Sequence, residues 1–284
     1  MTDASHLAML ARGAVGAARQ RALHLLMDGE PKVFVDEWAL KLTGDDPEVL
    51  HERAATVPFP RSAWVLRSRY TEDLLADALG AGCRQYVILG AGLDSFGQRH
   101  ADALAGLRVY EVDDPPLQNW KRDRLTPLGV FAPPQCVYVP CDLASQSLSE
   151  ALRQAGLAAE QPALVSWLAV TQYLSQAAIT ETLAWFANLA ARSQLVLTYV
   201  LPEGSEGSRT PVQWAWVHER RASGLPFDTF FTPASMERRL RDAGLIDVEP
   251  LSPEQADARY FSSRTDGMVT WSAERLVSAR VADA

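Results

Sequence analysis

Over the first 82 residues, apolar positions recur at helical spacing in 6–27, 33–42 and 61–79. Gly29, Pro31, Gly44, Asp45, Asp46, Pro47, Pro58 and Pro60 punctuate them. No strand-like alternation intervenes, so 1–82 predicts a helical cap section. The pattern then changes to short, almost wholly apolar runs at 85–89, 107–112, 135–139, 163–168 and 194–200. Helical segments separate them: 117–128 behind Asp114-Pro115-Pro116, then 145–156 and 175–191. Strand and helix alternating at this rhythm predict right-handed βαβ units. The expected class is α/β, with a doubly wound, Rossmann-like parallel sheet over 83–284 whose apolar strands are covered on both faces. Residues 201–231 are rich in Gly and Pro and carry Trp214, Trp216, Phe227, Phe230 and Phe231. A connection of that length predicts an inserted lid, about 201–232. Residues 233–244 read as a helix with Thr232 as N-cap and Gly244 at its end. The tail from Asp247 is expected to supply closing strands, completing a seven-stranded sheet, and a last helix near 273–281.

The 284 residues suffice for one large domain with an embedded cap, and the formal charge of −8 repels phosphate backbones, which argues against nucleic acid and anionic membranes as partners. No apolar run reaches the length of a membrane span, and the N-terminus reads as an amphipathic helix without the features of a signal peptide. Cys83, Cys136 and Cys141 form no CxxC pair, so neither a zinc site nor a disulfide framework is expected, and a reducing cytoplasm is.

The candidate chemistry starts at 86–94, YVILGAGLD, a buried strand followed at once by Gly90-Ala91-Gly92. A glycine turn at the carboxyl end of the first parallel strand lets a ligand approach the backbone. A dinucleotide fingerprint would place a third glycine where Ser95 stands, and Asp94 precedes it. That substitution disfavours a diphosphate and suits a cofactor carrying a cationic sulfonium and an amino group. The second strand ends in Glu111-Val112-Asp113, about 20 residues on, where an acid hydrogen-bonds ribose hydroxyls. The third ends in Cys141-Asp142-Leu143, a polar–apolar pair able to bond an adenine amino group and flank its ring; a helix N-cap is the competing reading of Asp142.

These motifs resemble the leucine carboxyl methyltransferase family of class I methyltransferases, including its bacterial secondary-metabolite members. LRSRYTEDLL (66–75), QYVILGAGLDSF (85–96), YEVDDPPLQNWKRDRL (110–125), CDLA (141–144), WLAVTQYLS (167–175), LTYVLPEG (197–204) and RYFSSRTDG (259–267) follow in register. The resemblance implies S-adenosyl-L-methionine as cofactor. It implies that Arg67 holds the methionine carboxylate, that Gly90, Ala91 and Gly92 lie under the cofactor, that Asp113 binds its ribose, and that Asp142 and Leu143 hold its adenine. Asp94, Glu111, Val112 and Trp167 join that set as its neighbours at the strand tips. Read without the resemblance, Arg67 is a surface arginine pairing with Glu72 or Asp73, and Arg69 is a rival for its role. The eukaryotic pattern carries a glutamate about five residues before Tyr173; here Trp167 or Leu168 holds that place.

The implied reaction is methyl transfer to an oxygen of a small acceptor, a carboxylate or an acidic hydroxyl. A carboxylate arrives ionised, whereas an alcohol benefits from a base. Tyr173, Tyr199 and His218 are the candidates for catalytic work, and the lid aromatics suggest an apolar acceptor pocket with Arg61, Arg220 or Arg221 as a partner for an acidic one. Two alternatives stay open here: an NAD-dependent oxidoreductase, and a catalytically inactive subunit that binds the cofactor. The chain is expected to act as a monomer or as a homodimer through its N-terminal helix.

Overall fold

The computed structural model describes residues 3–54, 61–102, 105–130, 132–222, 224 and 226–283. Four helices come first: α1 (Asp3–Met27), α2 (Trp38–Thr43), α3 (Pro47–Ala54) and α4 (Ser62–Gly80). Helix α3 was not expected from the pattern. The Gly44–Pro47 cluster, which looks like an interruption, also starts this helix: Asp46 Oδ1 accepts the amides of Glu48 at 2.8 Å and Val49 at 3.2 Å. Pro58 and Pro60 lie outside the described residues.

The strands are β1 (Gln85–Leu89), β2 (Arg108–Asp113), β3 (Cys136–Pro140), β4 (Ala163–Trp167), β5 (Gln194–Val200), β6 (Leu245–Leu251) and β7 (Glu274–Val281). Between them run α5 (Phe96–Arg99), α6 (Pro115–Leu125), α7 (Leu148–Gln154), α8 (Gln176–Ala187), α9 (Pro211–Ala222), α10 (Pro233–Asp242) and α11 (Pro253–Ala256). They build one seven-stranded sheet in the order β3-β2-β1-β4-β5-β7-β6. Strands β1 to β5 are parallel, and β7 runs antiparallel to both β5 and β6. The order reverses at β1/β4, the switch point where open α/β sheets bind ligands beyond the strands' carboxyl ends.

One expectation is overturned. Residues 273–281 form no helix; Glu274–Val281 is strand β7. Four consecutive residues, Leu276 to Ala279, are buried between β5 and β6, and inter-strand bonding on both sides outweighs any helical pattern in ERLVSARV. Thr232 and Ser175 accept the amides of Ser235 and Ala178 as N-caps; α7 starts later than the expected 145, behind Ser147, which accepts the Glu150 amide, and Asp114 precedes α6 without a side-chain cap. Gly244, at φ +85°, follows α10.

The sheet is covered on both faces. Val65, Leu66, Tyr70 and Leu75 of α4 pack with Tyr86 and Ile88 on one. Leu152, Ile179, Leu183, Met236 and Leu240 pack with Val87, Val165 and Leu197 on the other. Helix α1 is tied to the glycine turn. Ala18 packs with Leu93, and Arg21 donates to Asp36 and to the Leu93 carbonyl, both at 2.7 Å. Among the described residues no helix is long and apolar enough to cross a membrane.

Candidate functional site

The turn after β1 is glycine-dependent for two distinct reasons. Gly90 has φ +70°, and a Cβ there would collide with Val170 Cγ2 from the loop after β4. Gly92 has φ +49°, and a Cβ would sit 3.1 Å from Ala14 Cβ on α1. A third glycine's usual service is close helix–strand packing. Ser95 does not provide it, but Gly97 does: a Cβ there would lie 2.7 Å from Cys136 Sγ on β3. The packing role that looked absent from the sequence is therefore present two residues later.

The amides of this turn are already used. Gly90 and Ala91 donate to the Val112 carbonyl at 2.8 and 3.1 Å. Gly92 donates to the Asp113 carboxylate. The Phe96 amide, first in α5, donates to Asp94 Oδ1 at 2.7 Å. A diphosphate needs free N–H donors where strand passes into helix. This edge presents carboxylate and carbonyl oxygens instead, which suit ribose hydroxyls and a sulfonium cation. The residues present fit S-adenosyl-L-methionine better than a dinucleotide.

Asp113 sits at the tip of β2 with its oxygens on the Gly92 amide and, at 2.7 Å, the Asp114 amide. Burial raises its carboxyl to about 6, against the pull of those two amides. Its neighbour Val112 is fully buried, and offers the site its carbonyl through the turn. Glu111 is placed differently. It is 1% exposed, its Oε2 lies 2.5 Å from Lys121 Nζ, and Lys121 also donates to the Asp94 carbonyl at 2.6 Å. The geometry makes Glu111 half of a buried ion pair bracing the turn from below. Trp167 likewise lies in the core, fully buried with Val165, Ile179 and Leu197, and does not line the mouth.

Asp142 closes its own turn, accepting the Ala144 amide at 2.9 Å and the Ser145 hydroxyl at 2.5 Å, as a capping residue does. Leu143 is half-buried beside it.

On the other side of the switch point, Arg67 is no surface residue. It is 8% exposed on α4, and Nη1 donates to both oxygens of Glu274, at 3.1 and 3.3 Å. The local partner Asp73 belongs to the more exposed Arg69, at 2.8 Å. Glu72 is held by Arg99. Glu274 opens β7 opposite Val200, the last residue of β5, so this pair lies at the carboxyl edge of the sheet.

The described part of 201–232 covers that edge with α9 and the stretch 226–232. Trp214, Val217 and Phe227 pack on Val200, with Tyr173 and Phe230 at the margin. Asp228 and Thr229 donate to the Gln172 carbonyl, and Phe231 to that of Val200. Phe231 itself joins the main core. The side chains of Trp216 and Arg220 lie outside the described residues. Arg221 pairs with Asp228 at 2.8 Å, and Arg61 with Asp28.

The three catalytic candidates sit in different surroundings. Tyr199 is 1% exposed inside the sheet core, and burial pushes its phenol up to about 12. Tyr173 stands edge-on to Phe227, and burial raises it against the pull of Gln172 and the Arg209 guanidinium. His218 is exposed and pairs with Glu203 at 3.1 Å. Sequence reasoning missed Arg209, Glu274, Trp64 and Trp271, which gather here. Arg209 could have been noticed as the one basic residue in 201–217, set among aromatics.

Comparisons with known proteins agree with this geometry. The leucine carboxyl methyltransferase family model matches residues 14–187. YktD of Bacillus subtilis, named for S-adenosyl-L-methionine-dependent methyl transfer, is 30% identical over 229 residues, 79% of this chain and 74% of that protein. A Mycobacterium avium protein of the same designation is 36% identical over 182 residues, 58% of this chain; the chain spans 56% of that relative's length. Among solved structures, a Thermobifida fusca protein assigned as a methyltransferase superposes with a TM-score of 0.59 at 17% identity, covering 94% of each chain. A Streptomyces avermitilis protein superposes at 0.58 with 16% identity, covering 92% of this chain and 96% of that one. The fold is that of Rossmann-like methyltransferases, the cofactor is S-adenosyl-L-methionine, and the chain belongs to the leucine carboxyl methyltransferase family.

Proposed function

We propose that this enzyme methylates an oxygen of a small-molecule acceptor, and that the acceptor presents a carboxylate or a hydroxyl acidic enough to arrive ionised. The observation that carries this reading is the placement of the three candidate bases. Tyr199 lies inside the sheet core, Tyr173 is a phenol whose pKa burial raises, and His218 faces solvent. S-adenosyl-L-methionine, when bound, supplies a methyl group already activated on a sulfonium. What remains for the protein is alignment of the oxygen and exclusion of water.

In this reading Asp113 accepts ribose hydroxyls, Arg67 holds the cofactor's carboxylate, and Leu143 flanks the adenine beside Asp142. Gly90, Ala91, Gly92 and Asp94 shape the floor. Glu111 and Trp167 support that floor from within. The chain works on metabolites, in the manner of secondary-metabolite tailoring in a reducing cytoplasm, and neither nucleic acid nor membrane is its partner. The occupied turn amides speak against the nicotinamide alternative.

The test is transfer of labelled methyl from the cofactor to a panel of small acids and phenols. The expected product is a base-labile methyl ester. The rate should be nearly flat above about pH 5, as for an acceptor with a carboxylate pKa of roughly 4. A base-stable ether with a rate climbing toward about pH 9 would shift the assignment to a phenol or alcohol, and products methylated only on nitrogen would overturn it.

A further inference from the structure

Arg209 is the most unusual charge in the molecule. It is 8% exposed, and its Nε and Nη1 are sealed from solvent with no hydrogen-bond partner among the described residues. Its guanidinium lies 5.1 Å from the ring centre of Trp271, 5.2 Å from Phe227 and 5.9 Å from Trp214. Burial lowers its pKa, with Glu274 the main opposing charge. Yet Glu274 is already bonded to Arg67 and makes no ion pair with Arg209. Two guanidinium groups therefore lie near one carboxylate at the carboxyl edge of β5, and only Arg67 is bonded to it, in a chain whose formal charge is −8. An unpaired buried cation is strongly unfavourable, and aromatic faces offset only part of that cost.

We propose that Arg209 is the anion receptor of the acceptor pocket, and that it binds a carboxylate carried on an aromatic ring. Its planar N–H fork matches a carboxylate, and Trp271, Phe227 and Trp214, with ring centres 5.1 to 5.9 Å from the guanidinium, would flank a ring that carries one. The assignment rests on the small-acid reading above and specifies the acceptor's class. Arg209 holds the acceptor by its charge, while the oxygen that takes the methyl is either the second oxygen of that carboxylate or another group on the same ring.

The experiment uses the full chain saturated with S-adenosylhomocysteine and 1-naphthoate as probe, with 1-naphthamide as its uncharged counterpart. Calorimetry should detect naphthoate and not the amide. Arg209→Met should weaken naphthoate about 10- to 100-fold, the worth of hydrogen bonds to a charged group, and Arg209→Lys should weaken it less. S-adenosylhomocysteine affinity should stay unchanged in both. The melting temperature without probe should hold or rise in Arg209→Met, because an unpaired buried charge is removed; an arginine serving only to pack the lid would lose stability instead. The proposal is overturned if wild type binds naphthoate no better than naphthamide, if naphthoate affinity survives Arg209→Met, or if that variant melts lower. Arg209-dependent naphthoate binding with no methyl ever reaching an oxygen would sink the O-methylation reading and leave the receptor standing. Ester formation undiminished in Arg209→Met would do the reverse.

Discussion

The two halves of the carboxyl edge treat charge in opposite ways. At the tips of β1 and β2, Asp94, Asp113 and Glu111 each have an amide or ammonium partner from the same few segments. Beyond the tips of β4 and β5, Arg209 lies among aromatic rings with two guanidinium nitrogens unsatisfied. In the first arrangement each of these carboxylates has a partner inside the protein, although Glu111 Oε1 is buried without one, and its shape is set by those bonds, as suits a cofactor that is the same in every turnover. The second is complete only when an anion arrives. Differential binding at such a site distinguishes one acceptor from another, since a neutral isostere leaves the buried donors unpaired.

The largest effect that could break this comparison lies in the first half. If Glu111 and Lys121 are a structural pair, Lys121→Met strands a carboxylate in the core. That should cost about 3–5 kcal/mol of unfolding free energy in urea melts. Adding Glu111→Leu should restore most of the loss, because a buried ion pair replaced by apolar groups is often near neutral. The double variant should also keep its affinity for S-adenosylhomocysteine. Were Glu111 a cofactor ligand, stability would return and affinity would not.

Asp113 gives the next largest effect, and its sign separates binding from bracing. Its carboxyl is raised from 3.8 to about 6 in the folded protein, chiefly by burial. The unfolded chain releases that proton at lower pH than the folded one. The contribution to stability is therefore full below about pH 4, falls as pH rises to about 6, and is flat beyond, a loss of roughly 3 kcal/mol. Asp113→Asn should abolish this slope, seen as the difference between the wild-type and variant stability curves. Ribose hydroxyls donating to the carboxylate favour its ionised form. Cofactor affinity in wild type should therefore strengthen through the same window and be nearly level in the variant.

Much of the first half was legible in the sequence because its parts are close along the chain or mark their own turns. Gly90 and Gly92 follow an apolar strand directly, and Asp113 ends the next one, so a pattern of strand tips predicts their meeting. Even there, the pairing of Glu111 with Lys121 is visible only once α6 lies beneath the turn. The packing role of Gly97 was hidden because it depends on Cys136 in another strand. The second half was much less legible. Arg67, Arg209 and Glu274 come from a helix, the connection after β5 and the last strand, and only the sheet order brings them together. That order depends on β7 lying between β5 and β6, where the sequence pattern suggested a helix.

The smallest effect tests whether the lid contributes a base at all. His218 is the one histidine on α9, half exposed and paired with an equally exposed Glu203. A contact in that exposed setting is worth little, so His218→Ala should change stability by less than about 0.5 kcal/mol. A general base positioned on the acceptor contributes about 10²- to 10⁴-fold to the rate. If the acceptor oxygen arrives ionised, kcat for a carboxylate substrate should stay within about twofold in the variant, far below what loss of a base would produce. Retained rate would place the proton's departure in solution, before binding. A hundredfold loss would put a base on α9 and point to a hydroxyl of the substrate as the methylated group.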